Sequence, residues 1–302
     1  IWDWLDKNGK EISIAYLNRP HIAAKYVDYI AEHTDIKIIY YGHDLHFMRE
    51  FREYELTGDI GKKRDSEYWK SIEFSLMHKA AVSYYPSVVE EEAIHDVDET
   101  VNVKAITAYV YDTFLDNLNQ DFAKREGLLF VGGFAHPPNA DAVLWFAREI
   151  FPKIREKLEA PFYIVGSKVT EEIQALEQPG NGIIVKGFVS EEELSELYRT
   201  CRIVVVPLRY GAGVKGKVIE ALYNGAPVVT TSIGAEGIAE AESVMCIKDA
   251  PEEFAEETVR LYQNPESLRE LSRKTQDYIR KYYSVDAAWS VVEEDFRGME
   301  KI

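Results

Sequence analysis

The chain has 302 residues, 46% hydrophobic and 29% charged, which is the balance of a folded protein with room for about two domains. Its 52 acidic and 35 basic residues give a net charge of −17. This charge argues against general binding to nucleic acid and against docking of a broad face on anionic lipid. Cys201 and Cys246, the only cysteines, lie in apolar strand-like runs, which predicts buried free thiols and no zinc site.

Short β-branched runs alternate with helical patterns in the first half, which predicts a parallel α/β fold. Strands are predicted near residues 12–17, 36–41, 81–85 and 103–109, and helices near residues 21–32 and 65–78. Residues 48–64 are charged and end in Gly-Asp-Ile-Gly-Lys-Lys-Arg. We predict a long loop or a mobile helix there.

Residues 112–127 are polar and lack periodicity until their end, so they form the predicted linker. The second half is more regular, with six predicted strands and helix-length crossovers that suit a complete doubly wound sheet. The predicted strands cover residues 128–131, 162–165, 183–186, 203–207, 227–231 and 244–247. The predicted helices cover residues 139–158, 170–176, 191–200, 214–224, 251–263, 265–282 and 285–299.

The loop after the first strand of the second half carries a glycine pair, Gly132 and Gly133. In an open α/β sheet, ligands bind beyond the carboxyl ends of the strands, so these glycines let a ligand approach the backbone. Asn139 is the predicted N-cap of the next helix, with Asp141 supporting its first turn. The spacing fits neither a dinucleotide fingerprint nor a P-loop, and a tight turn without a ligand is the alternative.

Residues 207–237 carry the strongest signal. From Cys201 to Ile219 the chain has four cations and no acid, which inverts the sign of the overall charge. Gly211 and Gly213 open the backbone, and two lysines sit close to a predicted helix start. Lysines there oppose the helix dipole, an arrangement that makes sense where an anion binds. We therefore expect a phosphate-bearing ligand.

These strings resemble the donor-binding half of two-domain GT-B glycosyltransferases, most closely the large retaining family 4. The matching sequence is Arg-Tyr-Gly-Ala-Gly-Val-Lys-Gly-Lys-Val-Ile-Glu-Ala from Arg209, followed by Gly-Ala-Pro-Val-Val-Thr-Thr from Gly225. Phe-Val-Gly-Gly-Phe from Phe130 and Val-Lys-Gly-Phe-Val from Val185 extend the likeness over the second half. The resemblance implies an α/β protein of two Rossmann-like domains facing a cleft, with the N-terminal domain incomplete.

The resemblance also implies roles for individual residues. Glu220 matches the carboxylate that accepts hydrogen bonds from the nucleotide ribose. Gly187 and Phe188 match the loop beside the base, and Gly133 matches the loop that faces the donor phosphates. The residues implied at the donor diphosphate are Arg209, Lys215 and Lys217, with backbone amides around Gly211 and Gly213. For Arg209, a solvated position at the strand end is the alternative.

Two departures from the family are visible. The family often has a second carboxylate eight residues before the one that binds ribose, and that position here is Ala212. Either this subgroup holds the sugar differently or activity is weakened. The family's cation on the first loop is also absent after Gly133. Charge neutralisation then falls on residues 209–217.

In the first half, His43 follows a predicted strand and is the candidate catalytic residue. The resemblance places such a histidine near the reacting sugar, where it donates a hydrogen bond or steers a proton. A loop histidine paired with Asp44 is the alternative. Four strands are visible where the family's acceptor domain has about seven, each βα unit taking about 30 residues. We expect the missing strands to precede Ile1, and a peripheral membrane contact to lie in that part.

We therefore predict a metal-independent, retaining glycosyltransferase of the hexosyltransferase type. It moves a sugar from a nucleotide-diphosphate sugar to a carbohydrate, lipid-linked or other acceptor, with no cofactor besides this donor. The predicted parts are an acceptor-side domain (1–111), a linker (112–127), a donor domain (128–282) and a C-terminal helix that crosses back (283–302). We expect a cytoplasmic location, with membrane association left open. The alternatives are a sugar-nucleotide 2-epimerase of the same architecture and a non-catalytic sugar-nucleotide-binding protein.

Overall fold

The computed structural model describes residues 1–115, 118 and 120–296, and the chain forms two α/β units. The first unit contains Ile1–Val110, Tyr210–Val214 and residues 285–296. The second unit contains Tyr111–Arg209 and Lys215–Ser284.

All strand pairs in the described residues are parallel. The strands are β1 (Ile14–Asn18), β2 (Lys37–Tyr41), β3 (Val82–Tyr85), β4 (Val103–Ala105), β5 (Leu128–Val131), β6 (Phe162–Val165), β7 (Ile183–Gly187), β8 (Ile203–Val206), β9 (Val228–Thr230) and β10 (Cys246–Ile247). The α-helices are α1 (Trp2–Asn8), α2 (Pro20–Ala23), α3 (Val27–His33), α4 (His46–Thr57), α5 (Ile60–Lys79), α6 (Val88–His95), α7 (Pro137–Trp145), α8 (Phe151–Arg155), α9 (Glu171–Gln174), α10 (Glu191–Thr200), α11 (Gly216–Tyr223), α12 (Ser232–Ala235), α13 (Pro251–Tyr262), α14 (Pro265–Tyr283) and α15 (Val285–Phe296).

The sheet of the first unit has the strand order β1-β2-β3-β4. Alternate residues of a strand face opposite sides, so β2 sends Ile38 and Tyr40 into one core and Ile39 and Tyr41 into the other. Helices α3 and α5 contribute to the first core. Helix α15 supplies partly buried apolar side chains to the second core. Both faces of the sheet are therefore covered, as a parallel sheet requires.

The sheet of the second unit has the strand order β10-β9-β8-β5-β6-β7. From β5 the chain builds outward through β6 and β7, and then returns to place β8 on the other side of β5. The order therefore reverses between β5 and β8. In an open parallel sheet, this reversal opens a crevice beyond the carboxyl ends of the two strands. It is the place where a ligand site is expected.

The predicted α/β fold with parallel sheets is confirmed, and the largest local difference lies at residues 48–64. A loop or mobile helix was expected there, but α4 continues to Thr57 and α5 starts at Ile60. Gly58 ends α4 with a φ of 73°, and the Asp59 side chain caps α5 by accepting a hydrogen bond from Gly61 N at 2.7 Å. A glycine C-cap next to an aspartate N-cap turns the chain without a long loop.

The second unit includes the described part of residues 112–127, the predicted linker. Phe122 is fully buried, and the Arg125 guanidinium lies 4.2 Å from the centre of its ring. Arg125 also donates to the backbone oxygens of Tyr198 and Cys201. These contacts anchor the segment to the core of the unit.

Two further expectations concern cysteines and helix ends. Both cysteines are free thiols, with Cys201 buried and Cys246 half-buried, and burial raises the pKa of each to about 12. Helix α15 was predicted over residues 285–299 and is seen to Phe296, while residues 297–299 lie outside the described part. Across the described residues, the search for a helix of the length and apolar character needed to cross a membrane finds none.

Candidate functional site

The candidate site begins where the sheet order of the second unit reverses. Gly132 and Gly133 follow β5, and the backbone of Gly166 passes so close that a Cβ there would lie 1.8 Å from the Gly132 oxygen. The helix α11 starts with Lys215 as its N-cap. The N-terminus of α11 has backbone amides without helical partners, and such amides attract anions.

Lys217 connects α11 to the loop after β5. Its Nζ donates to Asn139 Oδ1 and lies 4.8 Å from the centre of the Phe130 ring. A Cβ on Gly132 would lie 3.0 Å from the same Nζ. Burial, with a smaller effect from Lys215, lowers the pKa of Lys217 to about 7. The ammonium group therefore lies in a poorly solvated place beside a glycine backbone, where a bound anion would stabilise its charge.

Asn139 has a different role from the predicted one. The N-cap of α7 is His136, because Pro137 and Pro138 occupy the first helical positions, which lack an N–H and favour this place. Asn139 is instead buried one turn inside the helix. Its Nδ2 donates to the Gly133 oxygen at 2.8 Å while its Oδ1 accepts from Lys217. The prediction of Asn139 as N-cap was wrong, and its side chain holds the glycine loop.

The other two cations at this corner are paired with acids. Arg209, just beyond β8, makes a two-point contact with Asp141, with Nε 2.9 Å from Oδ2. Asp141 was expected to support the first turn of α7, and it forms this pair instead. Lys215 Nζ lies 3.6 Å from Glu236 Oε2. The principal polar contact of Lys217 is thus a neutral amide, whereas Arg209 and Lys215 share their charge with carboxylates.

Glu220 lies on α11, one turn beyond Lys217, and is half-buried. Its Oε2 accepts a hydrogen bond from the Tyr198 hydroxyl at 3.2 Å. Burial raises the pKa of the Glu220 carboxyl, and the Tyr198 hydrogen bond opposes that change. Tyr198 is fully buried on α10 and was missed in the sequence. The sequence did contain a hint, because Tyr198 lies on the apolar stripe of an amphipathic helix. A tyrosine hydroxyl buried in this way usually needs a hydrogen-bond partner.

Gly187 and Phe188 lie at the end of β7, two strands away from β5. Gly187 has a φ of 67°, which favours glycine, and its oxygen accepts from Gly166 N at 2.8 Å. The Phe188 ring is 82% exposed. Nothing in the described structure covers this ring, so its face is accessible to a planar ligand.

Gly211 and Gly213 belong to a short loop that groups with the first unit. Gly213 has a φ of 76°, and a Cβ there would lie 3.2 Å from the His43 oxygen. The Gly211 oxygen accepts from Arg52 Nη1 on α4 at 2.8 Å. Arg52 was not singled out in the sequence, because nothing local links it to a loop 159 residues later.

His43 follows β2, at the carboxyl end of the first sheet. Its ring packs edge-on against Tyr41, with the ring centres 4.9 Å apart, and it lines a cavity of about 430 Å³. Burial, and then Arg19, lowers the pKa of His43, which favours the neutral form of its ring. Asp44, its alternative partner, forms ion pairs with Arg49 and His46.

The described residues contain no group of three or more histidine, cysteine, aspartate or glutamate side chains placed to hold a metal ion.

Of the predicted site residues, the structure places Gly133, Lys215, Lys217 and Glu220 in the second unit. His43, Gly211 and Gly213 lie in the first.

Comparison with known proteins finds a family match for the second unit. Residues 125–264 match the family described as glycosyl transferases group 1, a range that runs from the segment before β5 to the end of α13. An uncharacterized 44.6 kDa protein in the cps region of Klebsiella pneumoniae is 28% identical over 200 residues, or 63% of this chain and 49% of that protein. The chain therefore spans about half the length of this curated relative.

Solved structures give the fold. Sucrose-phosphate synthase from Thermosynechococcus elongatus matches with a TM-score of 0.76 at 16% identity, over 97% of this chain and 75% of that one. A variant of TarM from S. aureus, in complex with fondaparinux, α-GlcNAc-glycerol and UDP, matches at 0.75 and 15% identity, over 98% and 58%. HepE from Anabaena, in complex with UDP and glucose, matches at 0.71 and 14% identity, over 97% and 80%. The chain has the GT-B type of α/β fold with parallel sheets.

Proposed function

We propose that the protein is a retaining, hexosyltransferase-type glycosyltransferase of family 4 character, which takes its sugar from a nucleotide-diphosphate donor. The observation that carries this proposal is the half-buried Lys217, whose ammonium group lies beside the Gly132 backbone at the crevice where the sheet order reverses. A buried cation is costly unless an anion compensates it. The match of residues 125–264 to group 1 glycosyl transferases supports a donor diphosphate as that anion.

The donor diphosphate lies at the N-terminus of α11 in this proposal. Lys217 reaches it from inside the crevice, Lys215 from the helix cap, and the amides around Gly133 add further donors. Arg209 contributes by sharing its guanidinium between Asp141 and a phosphate oxygen, since it has donors on several edges. As the bond to the sugar breaks, these groups stabilise the charge that develops on the leaving diphosphate. The reaction is assigned no metal and no cofactor besides the donor.

Glu220 binds the nucleotide ribose. A carboxylate accepts hydrogen bonds from two neighbouring hydroxyls, and the Tyr198 hydroxyl already holds Oε2 at 3.2 Å. This contact fixes the carboxylate while Oε1 turns to the ribose. The Phe188 ring and Gly187 then lie at the end of the donor that carries the base.

His43 acts on the sugar side. Its neutral ring donates one hydrogen bond and accepts another, which suits contact with a sugar hydroxyl. Ala212 stands where the family often has a carboxylate close to the donor sugar. A non-catalytic sugar-nucleotide-binding protein is the second candidate for this reason, because donor binding and donor turnover depend on different residues.

Binding of a panel of UDP, GDP and ADP sugars, measured by calorimetry, tests the proposal. We expect one base to be preferred, and we expect Lys217→Met to weaken that donor about 10-fold to 100-fold, as loss of a charge-assisted contact does. Lys153→Met is the matched control, because Lys153 is an exposed lysine of the same unit that pairs with Glu252. Failure of the whole panel to bind contradicts the proposal.

Mass spectrometry of products from the bound donor separates the two candidates. A glycosylated acceptor of retained anomeric configuration identifies the transferase. An intact donor after prolonged incubation with an acceptor panel identifies the binding protein. The same spectra, read for isomerised donor, exclude or reveal epimerisation.

A further inference from the structure

Asn139 connects two parts of the candidate site through the two ends of its amide. The residue lies near the start of α7, and 7% of it is exposed. Its Nδ2 donates to the Gly133 oxygen at 2.8 Å, and its Oδ1 accepts from the Lys217 ammonium group. A carbonyl oxygen only accepts and an ammonium group only donates, so this orientation of the amide is the one that satisfies both partners.

The amide and the ammonium group meet against the backbone of Gly132. A Cβ on Gly132 would lie 3.0 Å from Asn139 Cγ, from Asn139 Nδ2 and from Lys217 Nζ. The centre of the Phe130 ring lies 4.8 Å from the same Nζ. The head group of Lys217 is thus held in a narrow space at the carboxyl end of β5.

The protein does not neutralise the charge of Lys217. In the part of the chain that the structure describes, no carboxylate forms an ion pair with this lysine. Asp141, also on α7, pairs with Arg209, and Glu236 pairs with Lys215. Both acids are therefore engaged with other cations.

The remaining acid at this corner is Glu220, one turn beyond Lys217, and it accepts from the Tyr198 hydroxyl at 3.2 Å. Burial, and then the charge of Lys215, lowers the pKa of Lys217. An ammonium group has three donors, and a neutral amide oxygen accepts from one of them without supplying a counter-charge. Asn139 therefore leaves the charge and the other donors of the lysine for a ligand.

We propose that Asn139 is a positioning residue of this site: its amide holds the Lys217 ammonium group beside the Gly132 backbone and leaves the charge to be neutralised by a bound phosphate group. The proposal rests on the proposed function for the identity of that phosphate, which is the donor diphosphate. An aspartate at this position would be a fixed counter-ion for Lys217 and would compete with the donor. The neutrality of the amide is what keeps the lysine available.

Two substitutions separate the shape of the Asn139 side chain from its neutrality. Asn139→Asp keeps the shape and adds a counter-charge, whereas Asn139→Leu removes both hydrogen bonds and adds no charge. Calorimetry with the preferred nucleotide sugar should show about 10-fold weaker binding by Asn139→Asp at pH 7. Its proton uptake at pH 8 should fall by at least about half, because a neighbouring carboxylate raises the pKa of a lysine by about one to three pH units. Asn139→Leu should bind about fivefold more weakly and retain the uptake.

Asn181→Asp is the matched control. Asn181 also uses both ends of its amide, because its Nδ2 donates to the Leu176 oxygen at 2.7 Å and its Oδ1 accepts from Ile183 N at 2.9 Å. It precedes β7, at the amino end of the same sheet, and both its partners are backbone groups. Urea unfolding should show similar losses of stability for Asn139→Asp and Asn181→Asp. Asn181→Asp should keep the affinity and the proton uptake of the wild-type protein.

Competitive acetylation of Lys217, followed by mass spectrometry, reads the same property without a donor. The unprotonated amine is the reactive form, so labelling of the wild-type protein should rise around pH 7, where the pKa of Lys217 lies. Asn139→Asp should move this rise upward by at least about one pH unit, and Asn139→Leu should move it downward, because the ammonium group loses its polar partner. The Asn139→Leu shift decides the matter if Asn139→Asp does not fold. A labelling profile that stays in place in the folded Asn139 variants overturns the proposal.

Donor binding on the same proteins separates this proposal from the proposed function. If a nucleotide sugar binds with the same proton uptake in Asn139→Asp as in the wild-type protein, the Asn139 proposal falls and the transferase proposal stands. If no nucleotide sugar binds, the proposed function falls, and the labelling profile alone decides for or against the Asn139 proposal.

Discussion

Lys217 gives the sharpest prediction, because its charge should depend on the donor. In the protein alone, burial and Lys215 lower its pKa to about 7 from the ordinary 10.5. A bound diphosphate stabilises the ammonium form and returns the pKa toward its ordinary value. Donor binding should therefore take up a proton at pH values between these two limits.

The magnitude follows from these two pKa values. If the complex has the full ordinary pKa, the donor dissociation constant rises about 50-fold from pH 7 to pH 9 and approaches about tenfold per pH unit above pH 8. At pH 8 the protein alone holds about 0.1 proton on this lysine, so binding takes up about 0.9 proton. The nucleotide sugar suits the experiment because its diphosphate is esterified at both ends and does not titrate in this range.

Calorimetry in buffers of different ionisation enthalpy measures the proton uptake directly, and repetition at several pH values gives the slope. Lys217→Met should bind more weakly at pH 7 and lose both the uptake and the pH dependence. Lys153→Met, with an exposed lysine exchanged, should retain both. A wild-type protein that binds its donor without proton uptake, or a Lys217→Met protein with an unchanged slope, refutes the reasoning.

The same pKa shift has a consequence for stability. A lysine whose pKa is lower in the folded than in the unfolded state binds fewer protons when folded, so stability rises with pH between about 7 and 10.5. Below pH 7 the penalty is fully present. Lys217→Met removes it, and urea unfolding at pH 7 should show a more stable variant, with the gap closing as the pH approaches 10.5.

Three further predictions concern contacts away from the ammonium group. Tyr198→Phe removes the hydrogen bond to Glu220 and should raise the donor KM about fivefold with little change in kcat, as steady-state kinetics would show. Gly213→Ala should lower the free energy of unfolding by about 1–2 kcal/mol more than the control Gly180→Ala. Both glycines have a positive φ, but only at Gly213 would the added Cβ lie close to other atoms. Asp295→Asn should lower the free energy of unfolding by about 1–3 kcal/mol above pH 4, through loss of the ion pair between Asp295 and Lys104. The difference should vanish in acid because the folded-state pKa of Asp295 is lowered.

Elements with a clear local sequence pattern were predicted at their observed bounds, and elements without one were not. The strand at 128–131 and the helix at 191–200 were predicted at their observed bounds. An unbroken apolar run marks the first, and Ser190 followed by three glutamates marks the start of the second. Residues 48–64 were harder, because α4 and α5 are rich in charge, and part of their support comes from the ion pairs of Lys62 with Glu50 and Glu53.

The sequence predicted which residues belong to the site, but it did not predict which residues they contact. Lys217 and Glu220 were found because glycines, cations and an acid lie close together along one stretch. The partners of these residues come from distant parts of the chain. Tyr198 is 22 residues from Glu220, and Asp141 is 68 residues from Arg209. Such pairs depend on how the strands are ordered, which local patterns do not determine.

Lys217 also shows why a role known in the family is not always carried by the residue at the matching sequence position. The family resemblance leads one to expect a cation on the loop after β5, and that cation is absent after Gly133. In the structure, Lys217 comes from α11, and its ammonium group reaches that loop through Asn139 and beside Gly132. Because Gly132 has no side chain, it leaves the space that this lysine needs. Replacing Gly132 by a larger residue should therefore displace the ammonium group as well as narrow the loop.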